Sequence, residues 1–357
     1  MKEHEDADLI QVMDPEGRVA DESLLKGISE PDMHGMYRLM NFTRLWNSKA
    51  LSLQRQGRMG TLASVRGQEA SNVGMGMALA PGDWFCPSFR EYGAMFARGI
   101  RPQDLYQYWG GDERGAKPPD GSRVLPVCIT VGSHLLHAAG IAWGAKIRGD
   151  RIAVMSSSGD GSTSQGDFHE ALNFAGVFKL PVVFVIQNNH WAISVPVEKQ
   201  TASETIAQKA CAYGIDHARI DGNDVFAIYL TAKRLLDAAR SDYRPALIEL
   251  VTYRMDDHTT ADDASRYRTA EMLAPWLAKD PVDRLRKYLT ANKGWDEGKE
   301  ADLIAELTAE VEQCVRDYEG AAHPPPAQVF DHTYEEMPWH LQEQRDQFLM
   351  YLGEAHR

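Results

Sequence analysis

From Asp32 the apolar positions fall on a 3.6-residue period: Met33, Met36, Tyr37, Met40 and Leu45 share one face, and the spacing predicts a helix. The residues before it mix acids, Pro15 and Gly17 with few large apolar groups, and predict an arm over 1–31, mobile or lying on the surface. Gly57, Gly60 and Gly67 punctuate a loop. Ser64–Leu79 reads as a close-packing helix of small residues, Pro81-Gly82-Asp83 as a turn, and Gly110–Pro126 as an exposed loop. Toward the centre the period shortens. Arg151–Ser156 predicts a short buried strand, Ser157–Ser162 a polar turn, and Gly166–Lys179 a helix with Phe168, Leu172, Ala175 and Phe178 on one face, ended before Pro181. Val182–Ile186 is apolar at every position, as in a parallel sheet covered on both faces. A helix near Ser203–Tyr213, a strand near Ala218–Ile220, a helix over Asp224–Arg240 and a strand over Ala246–Tyr253 follow. This alternation predicts an α/β domain with a mainly parallel sheet over 32–274. The charged helical pattern from about 275, broken by Pro324-Pro325-Pro326, predicts a C-terminal helical extension over 275–357.

Composition narrows the function classes. The 357 residues are 43% hydrophobic and 25% charged, ordinary values for a soluble globular chain. The net charge of −13 argues against nucleic-acid binding through bulk positive charge. No apolar run approaches the ~20 residues of a membrane helix. Met1 to Asp8 is acidic and polar, unlike a signal peptide, so a cytoplasmic protein is expected. Cys86, Cys128, Cys211 and Cys314 are far apart with no CxxC, and are expected to be buried, reduced thiols.

Two polar loops change the picture. In a parallel α/β sheet, ligands sit outside the carboxyl ends of the strands. Gly159-Asp160-Gly161 follows one predicted strand, and Asn188-Asn189 follows the next. Asp160 offers an anionic oxygen and Asn189 a neutral one, a donor set suited to Mg²⁺ shared with phosphate oxygens. Gly159 and Gly161 let backbone approach a phosphate, and the helix beginning near Gly166 points its N-terminal amides the same way. Each half alone is a common turn; GDG, one βα unit and then NN together form the thiamine diphosphate signature. A dinucleotide fingerprint would need glycine where Ser164 stands, and no GK[ST] loop exists.

Around these loops, GDGSTSQGDFHEALNFAG (159–176), QNNHWAIS (187–194), SFREYG (88–93), TYR (252–254) and HTTADDASRYR (258–268) resemble the α subunit of the two-chain E1 component of 2-oxo acid dehydrogenase complexes. VPVEKQ (195–200) and IAQK (206–209) are most similar to bacterial pyruvate dehydrogenase α chains, and the resemblance runs from about residue 33 to 345. It implies a thiamine-diphosphate-binding fold with thiamine diphosphate and Mg²⁺ as cofactors. The implied metal ligands are Asp160, Asn189 and the backbone carbonyl of Trp191, where the family usually has Tyr or Phe. Gly161, Ser162 and Arg90 would contact the diphosphate, with Phe89 at the family's usual Tyr. Backbone groups of Ile129 and Val131 would hold the aminopyrimidine ring. His134 stands where the family often has Gln; it and His137 read as structural. His258 matches the active-site histidine on the family's mobile loop and, with Arg90, is an implied catalytic position. Asp256, Asp257, Asp262 and Asp263 around it should favour its protonated form.

The resemblance implies oxidative decarboxylation of a 2-oxo acid and transfer of the acyl group to the lipoyl group of an E2 acyltransferase. The carboxylate that activates the aminopyrimidine would come from a β subunit, so the chain is expected to be half of the site in an α₂β₂ assembly. Residues 159–209 lean toward pyruvate; 258–263 lean toward a branched-chain 2-oxo acid, and acetoin is a further substrate alternative. A nucleotide-binding oxidoreductase fails on the missing glycine. A non-catalytic scaffold would have no need of the Asp160/Asn189 pair.

Overall fold

The computed structural model describes residues 9–322, 324–331 and 333–355; the first eight residues of the expected arm lie outside these. The chain divides into two compact units, one up to Val315 and one from Arg316 onward.

In the first unit, helix α1 (Glu30–Arg55) begins at a capping box in which Ser29 and Asp32 satisfy each other's backbone amides, with Pro31 in the first turn. Its Met33, Met36, Tyr37 and Met40 are buried, as the period predicts. Helix α2 (Glu69–Ala78) starts later than the predicted Ser64, because Gly67 takes a left-handed φ of +94° that no helix accommodates. Strand β1 (Trp84–Cys86), absent from the expected elements, is followed by α3 (Tyr92–Ala97), α4 (Pro102–Trp109) and α5 (Ser133–Arg148). Then come β2 (Val154–Gly159), α6 (Gly166–Phe178), β3 (Val182–Asn188) and the two-residue partners β4 (Trp191–Ala192) and β5 (Val195–Pro196). Strand β6 (Asp216–Asp221), helix α7 (Val225–Asp242) and β7 (Ala246–Val251) complete the α/β body. Helices α8 (Ala270–Leu277), α9 (Pro281–Asn292) and α10 (Glu297–Glu319) follow, α10 running across the division between the units.

The main sheet is entirely parallel, in the order β1-β2-β3-β7-β6. Helices α5 and α6 and the 3₁₀ segment Ala207–Tyr213 pack with Val154, Val182, Phe184, Ile186 and Leu247 in one core layer. Helix α7, with α2 against it, packs on β3, β6 and β7. Every residue of β3 is buried, the signature of a strand covered on both faces.

The structure departs from the sequence pattern in several places. Strand β2 starts three residues late and runs through Gly159, so the first half of the stretch read as a polar turn is strand and the second half is a 3₁₀ turn. The helix expected from Ser203 is only the 3₁₀ segment from Ala207. Phe178 is 41% exposed, leaning on Phe174 and Trp143 rather than entering the core. The 110–126 loop is not wholly exposed: Val124 is buried and bridges to Phe85. Cys86 and Cys314 are buried, but Cys128 is half-buried and Cys211 exposed, so two of the four thiols meet solvent.

The described part of the N-terminal segment is tied to the sheet. Ile10 makes a parallel bridge with Ile220 of β6, and the Asp224 side chain accepts from the amides of Val12 and Met13 at 2.7 Å each. Arg284, fully buried on α9, pairs with Asp221 at 2.8 Å and donates to the Met13 carbonyl. The second unit holds the end of α10, a 3₁₀ turn at Pro326–Phe330 and α11 (Trp339–Ala355), with Phe330 packed on Phe348. Among the described residues no helix is long and apolar enough to cross a membrane.

Arg284→Ala would leave Asp221 and Asp224 buried without their cation. Equilibrium urea unfolding should show a loss of about 3–5 kcal/mol, the cost of stranding one side of a buried ion pair; a loss under ~1 kcal/mol, the level of an exposed pair, would contradict that role.

Candidate active site

Four neighbouring strands deliver polar groups to one sheet edge. Gly159, the last residue of β2, sits opposite Gln187 of β3, so Asp160 and Asn189 leave adjacent strands at the same level. From β7, Thr252 donates its amide to the Asn188 carbonyl at 3.0 Å, and the Arg254 amide reaches that of Asn189 at 3.4 Å. From β1, the chain continues into Ser88, Phe89 and Arg90.

Asp160 is buried, 1% exposed. Its Oδ2 accepts from Gln200 Nε2 at 2.8 Å, while Oδ1 is buried with no partner. Burial pushes its carboxyl up to about 6 against the lowering effect of the Gln200 bond. A buried carboxylate oxygen with no partner calls for a cation to offset its desolvation. The Gly161 backbone lies against the β4–β5 hairpin: a Cβ there would come within 2.9 Å of Ala192 Cβ. Ser162 is buried and donates its hydroxyl to the Gly159 carbonyl at 2.7 Å, closing the turn on itself.

Asn189 is held by two contacts: Nδ2 donates to Gln68 Oε1 at 3.2 Å, and Oδ1 accepts from the Trp191 amide at 3.2 Å. A carbonyl oxygen has two lone pairs, so Oδ1 keeps one for a cation. The Trp191 carbonyl accepts from Arg254 Nη1 at 3.1 Å, and the Trp191 indole donates to the Tyr253 hydroxyl at 3.1 Å. His190, between these residues, takes a left-handed φ of +69°. Strain of that kind collects at functional sites.

Arg90 is buried, with Nη1 donating to the Ser64 carbonyl and Nη2 donating to the His258 carbonyl at 3.1 Å. Burial, and then Arg254, bring its guanidinium down to about 10, still cationic at neutral pH. Phe89 is half-buried, its ring edge-on to His258 at 6.1 Å. Ile129 and Val131 are 50% and 39% exposed at the rim. Their stretch is fastened to the Arg90 loop by the Cys128 amide on the Ser88 carbonyl, and runs into α5 beside Ser162 through Gly132. His134 is buried, its Nε2 2.8 Å from the Ser157 carbonyl, the structural place expected for it.

His258 is the correction. The acids named above do not set its charge. Its Nδ1 lies 3.3 Å from Arg90 Nη2 and 3.4 Å from Arg254 Nη1, and Asp262 Oδ2 binds its backbone amide. Burial first, then Arg90 and Arg254, push the imidazole down to about 4, overriding Asp262. With Nδ1 facing two donors, the ring is neutral with its proton on Nε2. The loop around it is pinned by Ser64 Oγ on Asp256, Ala264 N on Asp257, and Tyr267, which accepts from Arg254 Nη2 at 2.7 Å.

Other groups of this edge carried no assigned role in the sequence reading. Glu91, fully buried, accepts from the Arg90 amide, Ser157 Oγ and Gln187 Nε2 at 2.9–3.1 Å, and burial pushes it up to about 7. Asn72 bridges Gln187 and the Gln68 backbone, so Asn189 and Arg90 are joined by one buried polar chain. Glu91, Gln187, Gln200 and Arg254 lie inside the quoted motifs; nothing local marks Gln68.

Residues 37–327 match the family described as "Dehydrogenase E1 component". The chain is 43% identical to the pyruvate dehydrogenase E1 component subunit alpha of Acholeplasma laidlawii over 342 residues, covering 95% of this chain and 99% of that protein. It is 37% identical to the subunit of the same name from Staphylococcus epidermidis over 338 residues (94% of this chain, 91% of the relative). For that of Staphylococcus aureus the identity is 38% over 339 residues, with the same coverage.

Histidine NMR, with the His258 signal assigned as the one lost in His258→Ala, should show that ring staying neutral from pH 6.5 down toward about 4, as burial also keeps His190 neutral. Because the folded-state pKa lies below the unfolded one, its contribution to stability is complete above 6.5 and lost as pH falls toward 4. A midpoint near 6.5 would place the ring outside the field of the two arginines.

Proposed function

The chain belongs to the dehydrogenase E1 component family, and we propose that the edge built by Asp160, Asn189 and Arg90 is the diphosphate-anchoring half of its active site. The chain acts in thiamine-diphosphate-dependent decarboxylation of pyruvate as an E1 α subunit. The observation that carries the site assignment is Asp160 Oδ1, buried and unpartnered at the carboxyl end of β2. Mg²⁺ there would be held by Asp160, Asn189 Oδ1 and the Trp191 carbonyl, with the remaining positions left to phosphate and water. The Trp191 carbonyl is also an acceptor for Arg254, and its second lone pair suffices. Gly159, with nothing within 4 Å of its Cβ position, leaves the backbone open to a phosphate, Gly161 lets the turn close on the hairpin, and Arg90 supplies a fixed positive charge. Ile129 and Val131, at the rim, offer backbone groups to the aminopyrimidine. Thiamine diphosphate supplies the electron sink for loss of CO₂.

His258, neutral and protonated at Nε2, would present a hydrogen-bond donor to substrate, held in register by Arg90 and Arg254. Residues 32–274 would form the anchoring domain, with the N-terminal arm and C-terminal extension attached. The remaining half of the site would come from a β subunit in an α₂β₂ assembly, working in the cytoplasm and passing the acyl group to the lipoyl group of an E2 acyltransferase. The relatives' names support pyruvate over a branched-chain 2-oxo acid or acetoin.

Asp160→Ala should fold and lose Mg²⁺-dependent thiamine diphosphate binding by calorimetry; an unchanged affinity would remove the assignment. His258→Ala should bind the cofactor within a few-fold of wild type, yet acylate a lipoyl domain about 10²-fold more slowly in single turnover, in the range of a lost proton-handling group. Near-normal acylation would make His258 an ordinary loop residue.

A further inference from the structure

We propose that Gln200 determines which divalent cation the Asp160–Asn189 site accepts, by leaving Asp160 a single oxygen to coordinate with. This rests on the cation reading above. Gln200 follows the 3₁₀ turn Val197–Lys199 beyond the β4–β5 hairpin, and its backbone is fixed by its amide on the Val197 carbonyl at 3.0 Å. Its Nε2 donates to Asp160 Oδ2 at 2.8 Å and to the Val195 carbonyl at 3.2 Å. The hairpin carrying it is pressed on the GDG turn, where Ala192 would meet a Cβ on Gly161 at 2.9 Å. The Gln200 side chain is held in place by the two bonds of its own amide. Asp160 is clamped through Oδ2, and Oδ1 alone is without a partner.

That asymmetry matters for cation choice. Mg²⁺ demands near-octahedral geometry at about 2.0–2.1 Å and takes one oxygen from a carboxylate, whereas Ca²⁺ takes 6–8 ligands at about 2.3–2.6 Å and readily uses both. Bidentate coordination by Asp160 requires breaking the Gln200 bond inside a buried site. Glutamine suits this task, because its amide donates to the carboxylate while adding no charge that would itself attract a cation. Removing the amide frees Oδ2 and with it the bidentate mode.

The test uses the full chain assembled with its β subunit, titrated separately with MgCl₂ and CaCl₂ in the presence of thiamine diphosphate, with cofactor binding followed by tryptophan fluorescence. In Gln200→Ala, and in Gln200→Met, which keeps the length but not the donor, the ratio of calcium to magnesium affinity should rise about tenfold, equivalent to ~1.4 kcal/mol. That is the scale of one hydrogen bond to a charged group. A residue that merely shapes the hairpin would weaken both cations together, so an unchanged ratio in a variant with wild-type melting behaviour overturns the inference. Asp160→Asn is titrated alongside. If it keeps wild-type cation dependence, the cation site itself is wrong; if it loses that dependence while the Gln200 ratios stay fixed, only the role of Gln200 fails.

Discussion

A parallel sheet has one carboxyl edge, and burial on both faces leaves that edge as the place where its strands can turn polar without a penalty in the core. The register of β2 on β3 and of β3 on β7 sets everything else at the site. Gly159 opposite Gln187, and Asn188 opposite Val251, bring a carboxylate, an amide and a guanidinium to one level from positions more than ninety residues apart in the chain, residues 160 to 254. A slip of one residue on β3 would exchange Val183 and Val185 with Phe184 and Ile186 between the two covered faces and send Asn189 to the opposite face. The apolar interior of the strands and the chemistry at their ends are therefore one constraint: the packing of Phe184 and Ile186 fixes where Asn189 can be.

The same edge concentrates positive charge. Arg90 and Arg254 are both largely withdrawn from solvent and both face one imidazole nitrogen. Their charges are met by backbone carbonyls, those of Ser64, Trp191, Ile193 and His258, rather than by neighbouring carboxylates. A cation satisfied by carbonyl dipoles keeps its net charge, unlike one neutralised in an ion pair, so the edge retains an attraction for an anionic ligand. The neutral His258 is the counterpart of that field.

Much of the architecture was legible in the chain because parallel strands announce themselves as unbroken apolar runs. Val182–Ile186 is such a run, Ala246–Val251 is broken only by Glu249, and the GDG and NN turns stand out against them. What escaped notice was decided by distant residues. Strand β1 is three residues long and declares nothing by itself; it exists because β2 offers a neighbour. The charge on His258 could not be read from the four nearby aspartates, since sequence proximity put acids beside it while folding put two arginines against its ring. Gln68 and Gln200 lie in stretches with no periodic signal, and only the fold brings them to Asn189 and Asp160. Phe178, placed by period on the inner face of α6, is the last residue of the helix and rests against Phe174 and Trp143.

The bridge between Ile10 and Ile220 bears on solubility as well as on shape. Strand β6 is an outer strand, and an outer strand is a template on which a foreign strand can grow. Here the Arg219 carbonyl and the Asp221 amide, which such an intruder would use, are already engaged by Ile10. The cap is itself anchored, through Asp224 and Arg284, to groups buried in the body of the protein. A few residues from the start of the chain thus guard the sheet against edge-to-edge aggregation.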